Sequence, residues 1–86
     1  MHIHISNLSL NVIDSDLRKL FAPFGEVSSA VVVRDLFNGR SKGTAFIDMF
    51  REGDGAQAVQ ALHRTTLDGK QISVTTIEYD PTNRKN

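Results

Sequence analysis

Apolar and polar residues recur along this chain at two periods, and the places where the period changes mark out its elements. Residues 2 to 6, His-Ile-His-Ile-Ser, alternate with a period of two, which predicts a strand with Ile3 and Ile5 turned inward. Asn7 and Asn11 mark a loop. Leu17, Leu20, Phe21 and Phe24 then recur at helical spacing and read as core. Asp14 or Ser15 is placed to cap that helix, Asp14 and Asp16 lie near the positive end of its dipole, and Pro23 followed by Gly25 closes it. Val27 to Arg34 is rich in β-branched residues and predicts a second strand, with Ala30 and Val32 on one face and Val31 and Val33 on the other. The loop 35–41 holds Asn38-Gly39, a turn signal that joins antiparallel strands. Lys42 to Met49 is the third strand. Gly53 to Leu62 is a second helix with Ala56, Val59, Ala61 and Leu62 at near-helical spacing, its first turn weakened by Gly53 and Gly55. After an Asp68-Gly69 turn, Gln71 to Ile77 alternates as a fourth strand with Ile72 and Val74 inward.

The order strand, helix, strand, strand, helix, strand is the α+β, ferredoxin-like βαββαβ plan: a four-stranded antiparallel sheet with two helices on one face. The other face is left to solvent. By parity it carries His2, His4, Val31, Val33, Thr44, Phe46, Asp48, Ser73 and Thr75. Within Lys42 to Met49 the residues Ala45, Ile47 and Met49 form the core side, so Phe46 is an aromatic held on the open side, with Lys42 as a cation at its rim.

At 86 residues the chain makes one small domain. It has no cysteine, which excludes disulfides and thiolate metal sites and is compatible with a reducing compartment. His2 to Val12 is too polar for a targeting core and no run reaches the length of a membrane span, so a soluble, intracellular protein with no membrane partner is expected. Ten Lys+Arg against ten Asp+Glu give a formal net charge of zero, which argues against a generic polyelectrolyte binder. Cations are concentrated instead at Arg34, Arg40 and Lys42, around one loop, and at Arg84 and Lys85. His2 and His4 lie one strand repeat apart, but with no cysteine and no acidic third ligand beside them neither a metal nor another cofactor is expected. An enzyme is not expected either: the chain lacks a cysteine nucleophile, a glycine-rich loop between strand and helix, and a pair of buried carboxylates.

Two motifs resemble those of the RNA recognition motif (RRM) family. KGTAFIDM at Lys42 to Met49 is similar to the family's octapeptide and IHISNL at Ile3 to Leu8 to its hexapeptide. DLRKLFAPFGEV at Asp16 to Val27, the RD…NGRSKG run at Arg34 to Gly43 and LDGKQISV at Leu67 to Val74 support the likeness, which covers residues 1–79 and leaves a short polar tail, 80–86, expected to have little order. The resemblance implies single-stranded RNA as partner, with single-stranded DNA as the alternative polymer, bound on the open sheet face. His4, Thr44 and Phe46 occupy three positions that are aromatic in the family. Phe46 is then the base-stacking platform and His4 a partial substitute for a ring. Thr44 offers a hydroxyl, at the loss of a stack worth about 1–3 kcal/mol. Lys42 and Arg40 are the expected phosphate partners, His2, Asp48 and Thr75 lie on the same face, and Phe37 and Tyr79 are auxiliary stackers. The alternative is an RRM-fold protein-interaction module using the apolar patch of Val31, Val33 and Phe46. A monomer is expected. The likeness extends to small single-RRM proteins of bacteria, which implies a cytoplasmic setting.

Overall fold

The alternation in His2–Ser6 buries Ile3 and Ile5 completely and leaves the intervening histidines on the far side, so this first strand, β1, sits at the centre of a sheet. The computed structural model describes residues 1–77. In chain order β1 is followed by helix α1 (Asp14–Phe21), a 3-10 turn (Ala22–Phe24), β2 (Val27–Arg34), β3 (Ser41–Met49), helix α2 (Glu52–Leu62), two short strands β4 (Thr66–Leu67) and β5 (Lys70–Gln71), and β6 (Ser73–Ile77). The main sheet has the order β2-β3-β1-β6 and every neighbouring pair is antiparallel. Both helices cover one face, as the βαββαβ plan requires. The core between the layers contains Ile3, Ile5, Leu8, Leu17, Phe21, Ile47, Met49, Ile72 and Val74, all essentially without solvent exposure, while Leu20 and Phe24 are half-buried at its margin.

The helix starts differ from the expected pattern. The N-cap of α1 is Ile13, not Asp14 or Ser15. Ile13 has no side-chain acceptor to offer; instead its own N–H donates to Asp16 Oδ2 at 3.0 Å, which ties the first turn back on itself. Asp14 is used elsewhere: its Oδ1 accepts from Val32 N at 2.8 Å, on the outer edge of β2. The opposite edge is treated alike, since His63 Nδ1, just past α2, accepts from Val74 N at 2.9 Å on β6. Each edge strand thus has one outward N–H covered by a side chain from the helical layer, which blunts its capacity to pair with another chain.

The buried face of α2 consists of Gly55, Ala58 and Leu62, with Val59 half-buried; Ala56 and Ala61 point to solvent, contrary to the expected face. Gly55 is required by closeness of approach, because a Cβ there would lie 2.5 Å from Met1 Sδ and 2.9 Å from Met1 Cβ. The segment expected as one strand from Gln71 is broken: Lys70–Gln71 pairs with Thr66–Leu67 in a separate hairpin around Asp68-Gly69. Asp68 and Gly69 both have positive φ (51° and 82°), the geometry of a two-residue hairpin turn. Ser9 Oγ donates to Asp68 Oδ2 at 2.5 Å and anchors this hairpin to the β1–α1 loop.

Candidate nucleic-acid interface

Strand register assembles the open face into rows. Val31 on β2, Phe46 on β3, His4 on β1 and Thr75 on β6 lie side by side across the whole sheet. Ser29, Asp48, His2 and Ile77 form the next row. Phe46 is 48% exposed and Val31 52% exposed, so the middle row presents an aromatic and an aliphatic surface to solvent in direct register. The His4 and Phe46 rings are 5.2 Å apart between centroids, tilted by 49°, and together make one broader platform. In the second row His2 Nδ1 lies 3.3 Å from Asp48 Oδ1, and the Met1 amino group lies 3.6 Å from the same oxygen. His2 and Asp48 have no third partner that would make a metal site: among the described residues no group of three His, Asp or Glu side chains converges on one point.

Backbone chemistry explains why the two motifs meet here. Asn7 ends β1 at φ 61°, a left-handed conformation that asparagine tolerates, and its Nδ2 donates to Gln71 O at 2.7 Å. The reversal brings Leu8 N to Gly43 O at 2.9 Å, so the end of the hexapeptide is hydrogen-bonded to the start of the octapeptide. Gly43 itself has φ 77°, and a Cβ on it would stand 3.3 Å from Leu8 O. It lies beside the register shift between Val32 and Arg34, where a bulge bends the β2–β3 pair. Beyond this bend Lys42 is fully on the surface and Thr44 half-buried on the open face.

The loop between β2 and β3 is a self-bonded turn. Asp35 Oδ1 accepts from Phe37 N (2.8 Å) and Asn38 N (3.1 Å), Asn38 Oδ1 accepts from Arg40 N (2.9 Å), and Asp35 N donates to Arg40 O (2.8 Å). The N–H groups of Asp35, Phe37, Asn38, Gly39 and Arg40 are bonded within the loop, and Leu36 and Phe37 stand at 95% and 97% exposure. Arg34 Nη1 donates to Gly39 O at 3.2 Å, while Arg40 and Lys42 are exposed beside it.

The structure therefore gathers His2, His4, Thr44, Phe46, Asp48 and Thr75 on one face, with Val31, Val33 and Ser73, and sets Arg40, Lys42 and Phe37 at one end of it. Tyr79, Arg84 and Lys85 lie outside the described residues. Three face positions were missed by parity counting from the motifs alone: Ser6, opposite Ser73; Ser29, opposite Asp48; and Ile77, opposite His2 and 38% exposed. Continuing the alternation of β6 by one more step past Thr75 identifies Ile77.

The profile of the RNA recognition motif family matches residues 3–73, most of the chain. This chain belongs to the RNA recognition motif family. The chloroplastic 28 kDa ribonucleoprotein of Spinacia oleracea is 39% identical to it over 79 residues, which are 92% of this chain and 34% of that protein, so the RRM chain spans about a third of that relative. Among solved structures, the RNA binding protein PG1 superposes with a TM-score of 0.89 at 33% identity, covering 94% of this chain and 98% of that one. A Sxl-lethal protein/RNA complex superposes with a TM-score of 0.86 at 26% identity, covering 92% of this chain and 47% of that one. A plant chloroplast relative lends no support to the bacterial setting expected from the resemblance. No helix among the described residues is long and apolar enough to cross a membrane.

Proposed function

We propose that this RRM binds single-stranded RNA across the open face of its sheet. The observation that carries the proposal is the row in which Phe46, half-exposed on a central strand, is joined by the His4 ring at 5.2 Å. An aromatic kept on an open sheet face supplies a flat surface for a base, worth about 1–3 kcal/mol per stacked base. His4 extends that surface to a neighbouring base. Lys42 and Arg40, exposed at the end of β3, hold phosphates, and the Thr44 hydroxyl reaches a base edge or a ribose 2′-OH. His2, Asp48 and Thr75 complete the contact area. The Sxl-lethal relative, solved with RNA, and the ribonucleoprotein relative support this choice of ligand, and the family points to a binding module, not an enzyme.

Backbone amide shifts on titration with short RNA pools test the proposal. Residues 3–6 and 42–48 are expected to move; if they remain still at high-micromolar RNA, the proposal fails. Parallel titration with the same sequences as DNA measures the contribution of the 2′-OH.

Val31 and Phe46, adjacent and each about half-exposed, favour one second reading: an apolar strip that docks a protein. Salt separates the two, since RNA affinity falls as released counterions are resupplied and an apolar contact does not.

A further inference from the structure

Asp48 stands on the open face two residues from Phe46, with its side chain 37% exposed. A carboxylate there repels phosphate, so on a face that binds RNA it needs another use. Its Oδ1 is approached by His2 Nδ1 and by the Met1 amino group, whereas Oδ2 has no partner among the described residues. His2 and Ser29 flank it in register on the two neighbouring strands. The His2 contact engages one lone pair of Oδ1 and Oδ2 has no partner among the described residues, so both oxygens retain acceptor capacity.

An ionised carboxylate accepts hydrogen bonds and donates none. Residues i and i+2 of a strand are about 6.7 Å apart, close to the reach of a base that stacks on one side chain and turns its hydrogen-bonding edge to the next. Of the four RNA bases, guanine alone offers an imino and an amino N–H side by side. Adenine and cytosine place a ring-nitrogen acceptor beside their amino groups, and the imino group of uracil lies between two carbonyls. Two parallel N–H donors meeting a carboxylate make the charge-assisted, two-point contact that confers base identity.

We propose that Asp48 selects guanine as the base stacked on Phe46. The inference rests on the RNA-binding reading above and goes further by naming the base and the residue that reads it.

The test is the affinity of the full chain for short uridine tracts carrying one central guanosine, adenosine, cytidine or inosine, or none, read by fluorescence anisotropy. The guanosine tract is expected to bind about ten- to a hundredfold more tightly than the adenosine, cytidine and all-uridine tracts. Inosine, which keeps the imino N–H and lacks the amino group, is expected to fall between them. Asp48→Asn, whose amide has one acceptor and one donor, flattens the ranking while amide spectra confirm the fold. Equal affinity for all tracts overturns guanine selection and leaves RNA binding standing, as does an Asp48→Asn variant that keeps the guanine preference or gains equally on every tract. A wild-type protein that binds none of them overturns the RNA-binding reading and this inference together.

Discussion

Raising the salt concentration probes the number of phosphates engaged in the proposed binding mode, for which Arg34 joins Arg40 and Lys42 as a candidate. Arg34, Arg40 and Lys42 are the exposed cations at the end of the β2–β3 pair. If each neutralises one phosphate, the logarithm of RNA affinity falls against the logarithm of salt with a slope of about −2, since each contact with a single strand contributes about −0.7. A fourfold rise in salt then lowers affinity about twentyfold. Replacing Arg40 and Lys42 together by alanine leaves one contact, flattens the slope to about −0.7, and reduces the loss over the same range to about threefold. Both side chains are exposed and lie outside the core, so the double variant is expected to melt with the wild type. Anisotropy titrations of wild type and double variant at four salt concentrations give both slopes. A flat wild-type dependence refutes phosphate contact and favours the apolar docking strip. A slope near −2 that survives the double substitution refutes the assignment to these residues.

Five further substitutions test the stacking row, the turn at Gly43 and the protected edge of β6. Thr44→Phe restores a ring where the family has one and is expected to tighten RNA binding by about 1–3 kcal/mol in isothermal titration, with Phe46→Ala weakening it by a similar amount; no response to either refutes the stacking row. Gly43→Ala forces a side chain into φ 77° against Leu8 O and is expected to cost about 1–2 kcal/mol, a fall of roughly 5–15 °C in Tm, whereas Gly39→Ala at φ 72°, with nothing within 4 Å, bears only the conformational part. His63→Ala removes the acceptor for Val74 N and is expected to lower stability by about 1–2 kcal/mol in chemical denaturation, with no effect on the open face.

Much of this fold was legible because four segments have one wet face and one dry face. In β1 and β3 a slip of a single residue would turn Ile3, Ile5, Ala45 and Ile47 out to solvent, so alternation alone decides which side chains form the site. The misread parts have physical reasons. Hydrophobic spacing cannot register Gly55, which has no side chain; it chose Ala56 and Ala61 on α2, whereas the tight approach of Met1 selects the Gly55, Ala58 and Leu62 face. Local capping rules assigned Asp14 to its own helix, but a contact 18 residues away at Val32 takes its carboxylate. The β4–β5 hairpin is two residues on each side, too short for any period to show. At the site, the face residues followed from parity, but the pairing of Asp48 with His2 and Ser29 depends on which strands are neighbours, and that is set by the β2-β3-β1-β6 order.

That order also resolves how a chain of zero net charge can present a surface for a polyanion. Along β3 the exposed positions run Lys42, Thr44, Phe46, Asp48, from a cation through a hydroxyl and an aromatic to a carboxylate. Arg40 and Arg34 reinforce the cationic end, and among the described residues the Asp48 end holds the only carboxylate in the open rows defined by strand register. Screening in physiological salt confines each charge to about 8 Å, so the two ends of a strand this long act independently, and the overall sum has little bearing on either. In the proposed binding mode, phosphates are attracted to the Lys42 end and repelled from the Asp48 end, and the row of Val31, Phe46, His4 and Thr75 between them takes a base.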